Sequence, residues 1–255
     1  MPEIPVNLKD CTWPDLPAHY DSALHQAVQF ILATVPDVCG ILVSGTILRG
    51  NPSPSSDLDI YVIHQQPWRQ RLQRWFNGVP AEIFINPVKK VYEYFTAERG
   101  HARPITSHML HTGFIILALD DNLAELRKQA AVELTRTPDP TPQQLTITRY
   151  LAATRYEDAT DIAQTKPETA DMVLGQAVYA MLHYAFLKAN CYIPRDKDLL
   201  MALAGLDAQL AHKITAFYRS STFEERFALA QEIADSTIET RGFFAWESEP
   251  EDVDR

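Results

Sequence analysis

The first 136 residues alternate between segments with the apolar spacing of helices and short apolar segments typical of strands. Apolar side chains recur at helical spacing over 21–35, and Pro36 then ends the helix. Strands are predicted over 38–43, 58–63, 81–85 and 114–119, and further helices over 87–98, 105–111 and 122–135. We expect Gly113 to terminate the helix before it and Asp121 to cap the helix that follows it.

The character of the sequence changes at Arg136. Three of the six residues over 137–142 are prolines, which disfavours a regular element and favours an extended spacer. Beyond the spacer the pattern is helical throughout, with helices predicted over 143–165, 168–190, 196–204, 207–218 and 223–237. The sequence therefore predicts an α+β domain with a short mixed sheet over residues 1–136 and an all-helical bundle domain over 137–255.

Composition and charge narrow the classes of function. The 255 residues include 23 Lys and Arg against 33 Asp and Glu, which gives a formal net charge of −10. Because so acidic a surface repels a polyanion, we expect no nucleic-acid partner, whereas a cationic small molecule would be attracted. No apolar run is long enough to span a bilayer, and the first 20 residues lack the apolar core of a signal peptide. With three scattered cysteines besides, we expect a reduced, cytoplasmic protein with no membrane partner.

The stretch with the clearest chemistry begins where the first predicted strand ends. Ser44, Gly45 and Thr46 follow the apolar residues there, and a Gly-Thr step allows the backbone to turn sharply and present free N–H groups. If a helix begins at this turn, the N–H groups and the Thr46 hydroxyl form a phosphate site. Arg49 and Ser56 are candidates to assist there. Their ordinary alternatives are a surface position for Arg49 and turn or cap roles for Ser44 and Ser56.

Acidic side chains follow this turn. Asp57 and Asp59 are two residues apart at the start of the strand predicted over 58–63, so both carboxylates should project from one face. Such carboxylates repel each other unless a cation lies between them, and Mg²⁺ prefers oxygen ligands of this kind. Glu82 can join the aspartates if its strand pairs beside theirs. Three acids next to a phosphate-binding turn predict a two-metal site for phosphoryl or nucleotidyl transfer.

The order of these residues resembles the nucleotidyltransferase superfamily typified by DNA polymerase β. The shared pattern is an apolar strand, a Gly-Ser turn, a further glycine, a Ser-Asp-x-Asp segment and an acid on a later strand. In this chain the pattern is carried by Gly45, Thr46, Gly50, Ser56, Asp57, Asp59 and Glu82. Thr46 departs from the usual serine but keeps the hydroxyl. The helical part resembles, more loosely, the second domain of aminoglycoside nucleotidyltransferases, notably over residues 190–197.

The resemblance implies a Mg²⁺-dependent enzyme. Asp57, Asp59 and Glu82 would hold two Mg²⁺ ions, and the turn at Gly45 and Thr46 would bind the triphosphate of ATP or another NTP. The enzyme would transfer a nucleoside monophosphate, AMP from ATP in the first instance, to a hydroxyl group of a small molecule such as an aminoglycoside-like antibiotic.

Several alternatives stay open at this point. In relatives that modify antibiotics, a carboxylate of the second domain acts as base, and here Glu157, Asp158 or Asp161 could fill that role. A solvated helix face explains the same three acids. One rival function is an antitoxin-type enzyme that adds AMP to a tyrosine of a protein, and another is a non-catalytic nucleotide-binding regulator. The sequence leaves the acceptor, the preferred nucleotide and the oligomeric state undetermined.

Overall fold

The structure is a computed structural model that describes residues 7–50, 52, 55–248 and 250. The chain divides into two units. The first comprises the chain up to Arg99 together with Pro104–Arg136, and the second comprises Gly100–Arg103 and the chain from Thr137 onward. The first unit is mixed α+β and the second is helical, which confirms the predicted fold class.

A mixed sheet forms the centre of the first unit. Its strands are β1 (Val38–Ser44), β2 (Leu58–His64), β3 (Gln70–Phe76), β4 (Val79–Pro87) and β5 (Phe114–Ala118). They lie in the order β3-β4-β2-β1-β5. β2 and β4 run parallel, whereas the other neighbouring strands run antiparallel. β2 and β4 are therefore neighbours in space although β3 lies between them in sequence.

Of the described strands, β3 is the one that the hydrophobic pattern does not predict. It lies at the sheet edge, and its residues are mostly exposed and polar, with Phe76 alone fully buried. A usable signal follows it in Asn77-Gly78. Both residues have positive φ, 46° and 77°, and Phe76 pairs with Val79 across them, as in the two-residue turns that favour Asn-Gly.

Two apolar cores cover the two faces of the sheet. The helices of the first unit are α1 (Ala18–Thr34), α2 (Val88–Gly100), α3 (Ile105–Thr112) and α4 (Asn122–Thr135). Ile60 and Ile83 belong to the core that includes the buried residues of α1. Tyr61, with Phe84 beside it, belongs to the core that includes the buried residues of α2, α3 and α4. Because side chains alternate along a strand, the acids at positions 59 and 82 share the face of this second core.

Two helix boundaries, the end of α3 and the start of α4, have other structural causes than the sequence predicts. α3 stops before Gly113, but Gly113 has φ −68° and ψ 155°, an extended conformation rather than a left-handed one. The reason for glycine is space, because a Cβ there would lie 2.6 Å from the Met109 carbonyl oxygen. The predicted cap of α4 is wrong. The Asp121 side chain makes no capping bond, and the Asn122 N–H donates instead to Asp120 Oδ1 at 3.0 Å.

The second unit is a bundle of helices. They are α5 (Pro142–Ile162), α6 (Pro167–Lys188), α7 (Leu199–Leu206), α8 (Ala208–Arg219) and α9 (Phe223–Thr237). Their apolar faces share one core that includes Tyr156, Met181, Phe217 and Ile233. None of the helices in the described part of the chain combines the length and the apolar character that crossing a membrane requires.

Candidate functional site

A line of polar side chains crosses four neighbouring strands. Ser44 of β1 pairs with Asp59 of β2, Asp59 pairs with Glu82 of β4, and Glu82 pairs with Gln73 of β3. Directly paired residues project from the same face of a sheet, so these four side chains share one face. We call Ser44, Asp59, Glu82 and Gln73 the polar row. Glu82 can act together with the aspartates only if β2 and β4 are adjacent strands, and they are.

Gly45 lies directly against the polar row. Its φ of 104° is one that L side chains rarely adopt, and a Cβ at this position would lie 2.9 Å from Asp59 Oδ2. A side chain at position 45 is therefore excluded both by the backbone conformation and by the carboxylate. The turn that ends β1 and the acid of β2 are in contact, and a short 3-10 helix, Thr46–Arg49, follows the turn.

Hydroxyl groups gather at the same turn. Thr46 Oγ1 lies 3.2 Å from Ser56 Oγ, and both Ser44 and Ser56 are buried. The Tyr20 hydroxyl donates to the Ser56 carbonyl oxygen at 3.4 Å, which ties α1 to the segment that leads into β2. Hydroxyl and backbone N–H donors are the groups that phosphate oxygens accept from.

The Glu82 carboxylate is bound from the edge strand by two residues that were not singled out from the sequence. Arg71 Nε donates to Glu82 Oε1, and Gln73 Nε2 donates to the same oxygen at 3.2 Å. The hydrogen bond to Glu82 raises the pKa of Arg71, burial lowers it in part, and the charges of Glu82 and Asp59 raise it further. The Arg71 guanidinium therefore lies in the field of both acids of the polar row.

Carboxylate oxygens are ligands that suit Mg²⁺, but the three predicted acids are not gathered around one point. Asp57 is half-buried immediately before β2, and Asp59 and Glu82 are paired one strand apart. Among the residues that the structure describes, no three His, Cys, Asp or Glu side chains could hold a metal ion together. Arg71 and Gln73 engage the Glu82 carboxylate from the side of β3.

The remaining predicted residues fall in three places. The side chain of Arg49 lies outside the described residues. Asp158 and Asp161 are exposed on α5, as expected of a solvated helix face. Glu157, on the same helix, is half-buried and lines a pocket of the second unit. The three acids therefore have different environments although they lie within one turn and a half of helix.

The mixed five-stranded sheet of the first unit and the helices of the second unit can be compared with solved structures. The chain is similar in structure to the nucleotidyltransferase-like protein from Exiguobacterium sibiricum, with a TM-score of 0.52, 14% sequence identity, and coverage of 84% of this chain and 73% of that one. At this identity the likeness establishes the fold. No protein-family profile matches the chain, and no curated protein matches it in sequence. The nucleotidyltransferase fold is thus confirmed, and the likeness to aminoglycoside-modifying enzymes stays a prediction.

Proposed function

We propose that the protein transfers a nucleoside monophosphate from an NTP to a hydroxyl group. The observation that supports this best is the direct pairing of Asp59 with Glu82 beside the Gly45 turn. Carboxylates on neighbouring strands next to N–H and hydroxyl donors are suited to binding a triphosphate together with its divalent cations. ATP as the donor and a small molecule as the acceptor rest on the sequence resemblance.

In the proposed mechanism the Gly45 turn and the hydroxyls of Thr46 and Ser56 donate hydrogen bonds to the phosphates. Asp57, Asp59 and Glu82 would hold two Mg²⁺ ions together with oxygens of the bound phosphates once Arg71 and Gln73 release Glu82. The ions would stabilise the charge that develops on the phosphates. The acceptor oxygen forms a bond to the α-phosphorus while the bond from the α-phosphorus to the bridging oxygen breaks. Pyrophosphate leaves with the bridging oxygen, and the proton of the acceptor hydroxyl passes to solvent water.

A pyrophosphate-release assay tests this proposal. Each NTP is incubated with Mg²⁺, the protein, and a panel of acceptors that includes aminoglycosides, nucleosides and other polyols. We expect release that depends on one NTP, on one acceptor class and on the metal, and that stops when EDTA is added. Release with a protein acceptor alone would favour the protein-directed enzyme. Measurable NTP binding with no release for any acceptor would contradict transfer and favour a regulator.

The ion pair between Arg71 and Glu82 leads to a prediction about metal affinity. Arg71→Gln is expected to strengthen Mn²⁺ binding without nucleotide about three- to tenfold, because it frees the Glu82 carboxylate and removes a positive charge from the site. The effect is modest because the Arg71 side chain is 65% exposed and its ion pair is screened by water. Titration followed by the electron paramagnetic resonance of free Mn²⁺ measures this affinity directly.

Arg74→Gln is the matched control for this measurement. Arg74 lies on the same strand and carries the same charge, but its guanidinium lies over the Phe30 ring, 4.4 Å from the centroid. We expect the Mn²⁺ affinity of this control to stay near that of the wild type. Equal strengthening in both variants would mean that net charge controls binding and that Arg71 does not compete with the metal for Glu82.

A further inference from the structure

A pocket of about 430 Å³ lies in the second unit, between α5 and the segment over 242–247 that follows α9. Four of its ten lining residues are aromatic, with Tyr150 on α5 and Phe243, Phe244 and Trp246 on the later segment. The volume falls within the range of sites that bind small organic molecules. All of its lining residues belong to the second unit, and none of them is a member of the polar row.

Two of the aromatic rings of this pocket lie against each other. The ring centroids of Tyr150 and Trp246 are 5.3 Å apart with the planes tilted by 49°. Phe243 is 83% exposed, so most of its ring is available for contact. The face of an aromatic ring carries partial negative charge and attracts cations. Phe244 already shows this behaviour, because the guanidinium of Arg149 lies 4.4 Å from its ring centroid.

The charged residues that line the pocket are both acids. They are Glu157 and Glu247. The Glu157 side chain lies along Gly242, whose φ is +135° and whose missing Cβ would lie 3.4 Å from Glu157 Cβ. Within the described part of the chain, Glu157 makes no hydrogen bond or ion pair. The pocket thus contains a half-buried carboxylate beside aromatic rings, and no positively charged side chain lines it among the residues described.

We infer that this pocket binds a small organic cation with a methylated or alkylated ammonium group. The ammonium would lie against the rings of Tyr150, Phe243 and Trp246, with Glu157 as its counter-ion. An anion would be repelled by the two acids, and a metal ion such as Mg²⁺ would find aromatic carbon where it needs several oxygen ligands. An ammonium that carries apolar groups gains from both the rings and the carboxylate. Binding of such a cation would not depend on nucleotidyl transfer.

Choline and its neutral carbon analogue 3,3-dimethylbutan-1-ol test the charge requirement. The two molecules have nearly the same shape, and each has nine equivalent methyl protons that give one sharp NMR line. Titration of the full-length protein is expected to broaden the choline line saturably, with the neutral analogue binding about tenfold more weakly. Equal binding of the two would overturn the inference, because it would show a pocket that selects shape and not charge. The absence of saturable choline binding would overturn it as well.

Variants locate the site of binding. Glu157→Gln and Trp246→Leu are each expected to weaken choline binding about tenfold. Asp158→Asn is the matched control, since Asp158 is exposed on the same helix, adjacent in sequence and outside the pocket. We expect this control to bind choline as the wild type does. Weakening of the same size in Asp158→Asn, or none in Glu157→Gln and Trp246→Leu, would contradict the assignment, and circular dichroism shows whether each variant is folded.

Discussion

An Asp59→Asn variant is expected to keep its fold and to lose nucleotidyl transfer by about a thousandfold or more. Asp59 lies in the middle of the polar row, paired with both Ser44 and Glu82 and in contact with the Gly45 turn. Asparagine has nearly the same shape as aspartate, so the packing of β2 is kept. The change removes the charge that a divalent cation requires of its ligand. The rate of pyrophosphate release at saturating NTP and Mg²⁺ measures the loss.

Asp121→Asn provides the control for this experiment. Asp121 is exposed at the start of α4, makes no capping bond, and belongs to the same unit. We expect its transfer rate to match the wild type. The melting temperature of Asp59→Asn should stay close to that of the wild type, because the change removes both the like-charge repulsion with Glu82 and the attraction to Arg71. Wild-type transfer by Asp59→Asn would contradict the metal role, and an equal loss in both variants would attribute the effect to overall charge.

A Gly113→Ala variant is expected to lose about 3 kcal/mol of unfolding free energy. A Cβ at this position would lie 2.6 Å from the Met109 carbonyl oxygen, 2.6 Å from Leu42 Cδ1 and 2.9 Å from the Val43 carbonyl oxygen. Two of the three atoms are backbone, so the clash cannot be relieved by rotating a side chain. Relief would require α3 to move away from β1. Thermal unfolding should show a fall in melting temperature of about 10 °C.

Gly175→Ala is the contrasting change. Gly175 lies inside α6, and a Cβ there would have no neighbour within 4 Å. We expect this variant to gain up to about 1 kcal/mol, because alanine has the higher helix propensity. Opposite signs for the two substitutions would show that close approach, and not flexibility, fixes glycine at position 113. A Gly113→Ala protein as stable as the wild type would contradict that explanation.

The sequence predicted those elements whose apolar side chains repeat with a clear period. The helix over 223–237 was predicted with the bounds that α9 shows, and β2 was predicted one residue short. Both bury one face or both faces in a core, so the burial is visible in the sequence. β3 buries little more than Phe76, and its exposed residues follow no apolar alternation. An edge strand of this kind is set by pairing with β4, which the apolar pattern does not record.

The candidate site likewise has a part that the sequence predicts and a part that depends on strand pairing. The Gly45 turn and the two aspartates lie in one short stretch, and their residue types alone indicate the chemistry. The contact of Arg71 with Glu82 depends on the hairpin between β3 and β4, whose register is fixed by the turn at 77–78. A slip of one residue would move Arg71 to the opposite face of the sheet. The local pattern that records this register is the Asn-Gly pair at 77–78, and the apolar pattern of β3 does not record it.

The polar row has a consequence for how the protein reaches its working state. Its four members come from four separate strands. β2 and β4 are paired although the whole of β3 lies between them in the sequence. Such distant pairings form late because the loops between them must close first. A partly assembled sheet therefore offers no complete cation site. In a refolding experiment, the recovery of Mn²⁺ affinity should mark the moment at which the last of these strands docks.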